Sequence, residues 1–318
     1  MPSMNEVGLF NDADVLALRG PKNPHDPWRP HAFFVEPERT SNGIVEDVAT
    51  IFLTNRECPF RCLMCDLWKF TTDERVPDGA VPAQIIYALG RLPPAPHVKL
   101  YNAGNFFDAQ AIPPEDWPAI AKLLQTFRTV IIECHPKLVG KSCLTFQGLL
   151  NGRLQVAMGL ETVHPEVLPR LNKRMTLADF EKAVRFLDDH DIDVRAFILL
   201  RPPFLTEDEG IEWAKRSLRY AFDIGVECCS VIPTRAGNGA MEQLQENKLF
   251  DPPRIESLEE VMEYGVGLRT GRVFADLWDI ERFFNCKRCG PARSIRLKEM
   301  NLTQAVPAPI ICSCETMP

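Results

Sequence analysis

The stretch Cys58-Pro59-Phe60-Arg61-Cys62-Leu63-Met64-Cys65 follows within a few residues of the apolar run Val48-Ala49-Thr50-Ile51-Phe52-Leu53-Thr54. A segment with the length and composition of a buried strand therefore hands over to a loop with cysteines spaced Cys-x3-Cys-x2-Cys. A [4Fe–4S] cluster is ordinarily held by four thiolates, so three on one loop leave an iron open to a substrate or cofactor. An open metal position usually signals chemistry. With 11 cysteines in 318 residues, two more at those offsets from any one arise by chance at about 1%. Position strengthens the case, because α/β folds bind ligands at the carboxyl ends of their strands. Buried thiols, or a structural zinc site lacking its fourth ligand, are the plainer reading of the same residues.

Outward from that loop, short apolar runs alternate with amphipathic stretches: Val48–Leu53, His97–Asn102, Thr129–Cys134, Leu154–Leu160, Val194–Leu200 and Val226–Ile232. Six strands alternating with helices predict a parallel sheet. The helices have marked starts. Thr206 with Glu209 is a capping box ahead of Ile211, Ala214, Leu218 and Phe222, and Thr176 with Asp179 precedes Leu177, Phe180, Ala183, Val184 and Leu187. Right-handed crossovers would curl such units into an open barrel or a doubly wound sheet, with all strand carboxyl ends on one rim. Residues 1–45, rich in Pro, His and aromatics, read as an irregular N-terminal arm. Residues 46–275 form the core, and 276–318 a cysteine-rich C-terminal extension.

The composition, 45% hydrophobic and 25% charged, is that of a globular protein. Neither a basic leader into an apolar stretch nor a run near the roughly 18 residues that span a bilayer is present, so a cytoplasmic protein without a membrane partner is expected. An odd cysteine count in such a chain favours metal ligation and buried thiols over a disulfide framework. A net charge of −7 argues against a uniformly basic nucleic-acid coat and leaves room for a local basic site.

Several residues should meet at the strand-end rim. Gly104, in Asn102-Ala103-Gly104-Asn105, lets backbone approach a ligand. Glu133, Glu161, Arg201, Thr234 and Arg235 close later runs, and polar residues also occur wherever strands leave a core. Lys173 and Arg174 offer cations to a carboxylate, or form a solvated pair. Phe60 and Trp68 would cover an adenine face or join the core. Cys228 and Cys229 read as buried thiols.

Cys286-x2-Cys289 and Cys312-x-Cys314 supply four more thiols, a set that suits structural zinc or an auxiliary iron–sulfur cluster. Spacing does not choose between them. Nearby, Arg282, Lys287, Arg288, Arg293, Arg296 and Lys298 meet no acid between Arg282 and Lys298. This basic stretch is assigned to RNA phosphate contacts, against a solvated face on a small metal knuckle.

Together these residues resemble the radical S-adenosylmethionine superfamily over residues 46–275. Asn102–Asp108, Ile132-Glu133-Cys134-His135-Pro136, Gly159-Leu160-Glu161-Thr162 and Leu200–Glu207 are similar to a branch that includes the archaeosine-forming tRNA lyase. The resemblance implies an α/β fold, a partial (β/α)6 barrel with a small C-terminal metal-binding knuckle. It also implies a [4Fe–4S] cluster on Cys58, Cys62 and Cys65, with S-adenosylmethionine on its open iron. Met64, Trp68, Ala103, Gly104, Asn105, Glu161, Lys173 and Arg174 would bind that cofactor; Gly104 and its neighbours would meet the amine, Glu161 the ribose, and Lys173 or Arg174 the carboxylate. Glu133, Arg201 and Arg235 are the candidate catalytic side chains. An electron donor and an RNA substrate, a tRNA or modified nucleoside, are the implied partners. Two departures stand out: Ala103-Gly104-Asn105 replaces a glycine-glycine-glutamate turn, and Met64 replaces an aromatic before the last cysteine. The rival of another class is a noncatalytic zinc-bound RNA-binding module.

Overall fold

The computed structural model describes residues 9–312; the expected ligand Cys314 lies outside them. One sheet runs in chain order through β1 (Ala32–Arg39), β2 (Val45–Leu53), β3 (His97–Asn102), β4 (Thr129–Glu133), β5 (Arg153–Glu161), β6 (Asp193–Leu200), β7 (Cys228–Pro233) and β8 (Arg272–Ala275). From β2 to β8 every neighbour is parallel. A short α1 (Asp12–Ala17) precedes the sheet. The crossovers carry α2 (Ala80–Leu89), α3 (Trp117–Leu123), α4 (Lys141–Gln147), α5 (Val167–Arg170), α6 (Leu177–Asp188), α7 (Glu207–Asp223), α8 (Ala240–Glu246) and α9 (Ile255–Leu268), and α10 (Gly290–Thr303) follows β8. This is the partial (β/α) barrel expected from the pattern, with a cysteine cluster near its C-terminal end.

Strand alternation decides what each face meets. Ile51, Leu53, Val98, Leu100, Val130, Ile132, Val156, Met158, Ala196, Ile198 and Val231 join the main apolar core, with Phe180, Ala183, Val184 and Leu187 of α6 and Ala214 and Leu218 of α7. Both predicted capping boxes form: Thr206 Oγ1 accepts from the Glu209 amide, and Thr176 Oγ1 from that of Asp179. Each such cap stabilises its helix by about 1 kcal/mol.

Two strands were not expected. β8 has only four residues and opens on Arg272. β1 lies within the segment read as irregular, pairing antiparallel with β2 from Ala32↔Phe52 to Arg39↔Val45. Glu36, Pro37, Glu38 and Arg39 disguise it, because an apolar alternation is what marks a strand in sequence. Its neighbours explain the charges. Lys99 Nζ reaches Glu38 at 2.7 Å and Glu36 at 3.0 Å, and the Arg195 guanidinium pairs with Glu38 and donates to Gln155 Oε1. Gln155 Nε2 donates to Glu227, which also takes the Arg272 guanidinium. Lys99 and Arg195 are 5% and 3% exposed, burial that such cations tolerate only when paired. Pro37 is accommodated because β1 pairs on one side only.

No helix among the described residues is long and apolar enough to cross a membrane. Glu38→Gln would leave Lys99 and Arg195 buried without their shared anion. It is expected to lower stability by about 3–5 kcal/mol, measured as a shift in the urea midpoint; an unchanged midpoint would refute this role for the network.

Candidate functional site at the carboxyl rim of the sheet

The loop after β2 is held from many directions. Gln84 of α2 accepts from the Thr54 amide at 2.8 Å and donates to the Thr54 carbonyl at 2.8 Å, fixing the chain as it leaves the strand. Glu57 draws in Arg19 at 2.6 Å, Lys22 at 2.8 Å and Arg61 at 3.1 Å. The Leu63 amide donates to the Leu171 carbonyl, and Asn172 Nδ2 to the Arg61 carbonyl, both at 2.8 Å. Asn238, beyond β7, donates to the carbonyls of Leu63 at 2.8 Å and Cys65 at 3.1 Å. The three cysteines are half-buried, with thiols near enough to act on one another electrostatically. Burial pushes the Cys62 thiol up to about 12, with the Cys58 thiol adding to the rise, and Cys58 and Cys65 are raised for the same first cause.

Asn105 and His135 connect this loop to the neighbouring strand ends. Asn105 Nδ2 donates to Cys58 Sγ at 3.1 Å while its Oδ1 accepts the His135 amide at 2.6 Å. The His135 ring stacks on Phe60 at 3.7 Å and 9°. Its Nδ1 accepts from the Lys137 amide at 3.2 Å, so Nε2 carries the hydrogen and donates to the Lys173 carbonyl at 3.0 Å. Burial, with Lys173 nearby, drops its pKa to about 3 and keeps the ring neutral. Phe60 thus faces a histidine. Nothing in the sequence marked Asn238, which sits more than 170 residues from the loop it holds.

Glu161 and Lys173 form a buried ion pair. A β-bulge between Gly159 and Glu161 re-aims the end of β5, and Glu161 adopts a φ of 65°. A Cβ on Gly159 would lie 2.0 Å from Glu161 Oε1 and 2.2 Å from Lys173 Nζ; only glycine leaves the pair its place. Burial depresses the Lys173 pKa, but Glu161 and the Cys62 thiol more than reverse that, so the ammonium stays charged. At the neighbouring strand end, Glu133 Oε2 accepts from the Asn102 amide at 2.9 Å. Burial pushes Glu133 up to about 8. The Asn102 side chain is buried with neither Oδ1 nor Nδ2 hydrogen-bonded, and Gly104 has room for no Cβ beside Asn55 Nδ2 at 2.7 Å.

The other expected residues have partners of their own. Trp68 is buried beneath the Arg19 guanidinium, 4.7 Å from its ring centroid, the core placement that was one of its two readings. Met64 packs with apolar residues including Phe204. Arg174, adjacent to Lys173, turns outward to Asp12, so Lys173 alone of the two cations faces the thiols. Arg201 is tied to Glu207 and the Pro252 carbonyl at 2.7 and 2.9 Å, a loop-bracing role. Arg235 pairs with Asp276 at 2.8 Å and donates to the Trp278 carbonyl at 2.6 Å, bracing the loop after β8. The basic C-terminal stretch is also reduced: Arg293 and Arg296 are buried against Glu259, unavailable to phosphate. Sγ atoms of Cys286, Cys289 and Cys312 lie within 4.8 Å of one another, close enough to bind a metal.

Comparison with known proteins fits this arrangement. The chain is 23% identical over 324 residues to an uncharacterized protein of Methanocaldococcus jannaschii, covering 92% of this chain and 86% of that one. It is 26% identical over 296 residues to archaeosine synthase subunit beta of Methanosarcina acetivorans, covering 83% and 81% respectively. Its fold matches Methanocaldococcus infernus Elp3 with a TM-score of 0.53 at 16% identity, over 80% of this chain and 63% of that one. Over most of its length the chain therefore shares its fold with that Elp3 structure. No family model matches it.

Glu133 leads to a pH prediction. Its folded pKa near 8 lies above the ordinary 4.5, so the native state holds a proton that the unfolded chain releases. Its contribution is full below about pH 4.5 and is lost as pH rises through about 8. Glu133→Gln should therefore flatten the fall in stability between pH 5 and 8 (about one carboxyl's titration range), followed by thermal melts across that range; an unchanged slope would exclude Glu133 as the source.

Proposed function

We propose that this chain is a cytoplasmic radical S-adenosylmethionine enzyme in which Cys58, Cys62 and Cys65 hold a [4Fe–4S] cluster, and that it acts on a nucleoside of tRNA. The observation that carries the first part is the meeting of the three-cysteine loop with the Glu161–Lys173 pair on one rim, with Asn105 bonded to Cys58 and Lys173 acting electrostatically on Cys62. The donor set fits a cluster better than a single ion. Among the described residues, the trio gathered within 4.8 Å is the C-terminal one, whereas a cluster takes each thiolate on a separate iron. The unpartnered amide of Asn102 fits a polar ligand beside the cluster. The tRNA part rests on the likeness to archaeosine synthase subunit beta.

When bound, the cluster and S-adenosylmethionine supply, with one electron from an external donor, a 5′-deoxyadenosyl radical that removes a substrate hydrogen atom. The chain's own residues do the rest. Asn105 Nδ2 places donor density on Cys58 Sγ, which favours the thiolate a metal requires. Lys173 Nζ would offer a charge-assisted contact to the methionyl carboxylate, and Glu161 would accept from ribose hydroxyls. Asn102 and the turn through Gly104 would hold the methionyl amine. The Phe60–His135 stack closes the loop against water without adding charge. Glu133 keeps its proton at neutral pH and can donate it to a polar substrate atom.

The test is anaerobic purification with iron and sulfide assays, then addition of a strong reductant and S-adenosylmethionine. Formation of 5′-deoxyadenosine is expected, and Cys62→Ala should abolish it together with the iron. Zinc at both cysteine groups with no cleavage would overturn the assignment in favour of a noncatalytic RNA-binding module. Nucleoside profiling of tRNA from cells lacking the gene addresses the substrate: an unaltered profile would remove tRNA from the proposal.

A further inference from the structure

We propose that Cys286, Cys289 and Cys312 hold a single zinc ion, not a second iron–sulfur cluster, and that this ion ties the chain's return segment to the start of α10 and steadies the loop that overhangs the barrel mouth.

Spacing is the first ground. Tetrahedral zinc with Zn–S bonds of about 2.3 Å sets its sulfurs about 3.8 Å apart, and the three Sγ atoms already lie within 4.8 Å. A cubane distributes its thiolates over separate irons with sulfides between them, which demands a wider frame. The second ground is how the thiols are assembled. Cys286 and Cys289 flank the turn into α10, where the Gly290 amide donates to the Cys286 carbonyl at 2.9 Å. Cys312 arrives from a distant stretch of chain. Buried Arg296 brings it there, donating from Nε to the Ala308 carbonyl at 2.9 Å and from Nη2 to the Pro307 carbonyl at 2.8 Å. Glu259 and Glu263 of α9 hold that guanidinium in turn.

A third ground is the neighbour of the ligands. Arg293, buried and bound by Glu256 and Glu259, hydrogen-bonds the Cys289 thiol. A positive donor on a sulfur is what a zinc-bound thiolate uses to disperse its charge, and outer partners of this kind orient metal ligands. The two arginines that had read as RNA contacts are thereby assigned to building the metal site.

The consequence falls on residues 276–285. That loop carries Asp276, which pairs with Arg235, and Trp278, which is 56% exposed and stacks on Phe34 at 6.4 Å and 20°. Its far end runs directly into Cys286. A tether at that point limits how far Trp278 can move from the lumen-facing Phe34, as cross-linking a loop end restricts its accessible conformations.

The experiment uses the full chain, purified anaerobically without chelator, with zinc, iron and sulfide measured together. About one zinc per chain is expected. Cys289→Ser and Cys312→Ser should each lose it while keeping iron and sulfide, and Cys62→Ala should lose iron while keeping zinc. Replacing zinc with Co2+ should give the intense visible bands of tetrahedral thiolate cobalt, absent in Cys312→Ser. Loss of iron and sulfide from the C-terminal variants, with no zinc in the parent chain, would overturn the assignment. Circular dichroism separates metal loss from global unfolding, and Cys312→Ser, far from the core, is expected to keep the wild-type spectrum. Hydrogen exchange across residues 276–285 should accelerate when zinc is removed; unchanged exchange would overturn the tethering role. These readouts need neither S-adenosylmethionine nor turnover, so they stand or fall apart from the function proposed above.

Discussion

Three thiols on one short loop can keep a fixed spacing only if the loop that bears them has almost no freedom, and the rest of the rim is organised around that restraint. An eight-residue loop cannot supply it from within. Its carbonyls are claimed by Asn172 and Asn238, its Leu63 amide by Leu171, and one of its sulfurs by Asn105. The partners come from three strand-to-helix connections, after β3, β5 and β7, so the loop is set only when those strands lie side by side. A parallel sheet suits this task because its crossovers return every connection to the same edge.

The opposite end of the lumen obeys a different rule. Lys99, Arg195, Gln155 and Arg272 point inward near the strand starts, where an apolar plug would be the ordinary filling of a small barrel. Their charge is balanced by Glu36 and Glu38 of β1 and by Glu227. The antiparallel strand is therefore an electrostatic closure as well as an added edge. Arg272 Nη1 also donates to the Arg39 carbonyl, and Arg39 to the Leu302 carbonyl of α10, joining that closure to the last elements of the chain.

The same pairing of charge with position separates residues that look alike in sequence. Lys173 and Arg174 are adjacent cations, yet the first is buried against Glu161 and the second is half-exposed against Asp12. Arg201 and Arg235 both follow strand ends, and each guanidinium is bonded to a neighbouring loop, Arg201 to the Pro252 carbonyl and Arg235 to that of Trp278. Arg293 and Arg296 sit in a stretch without acids, and their acids come from α9. A cation's sequence neighbours say little about its spatial ones, because ion pairs form across tens of residues.

Much of this architecture was legible along the chain. The six principal strands, the two capping boxes and the buried stripes of α6 and α7 rest on local periodicity and on hydrogen bonds three residues apart, which sequence records directly. The cysteine spacing at 58, 62 and 65 likewise marked the site, since a loop that presents several thiols must encode them close together. Tertiary structure alone decided the rest: β1 with its charged face, the inward turn of Lys173, the burial of Trp68, and the grip of Asn238 on the cysteine loop. Each depends on which distant group supplies the compensating charge, donor or surface. That partner is chosen by the closure of the sheet, a property no local window of residues contains.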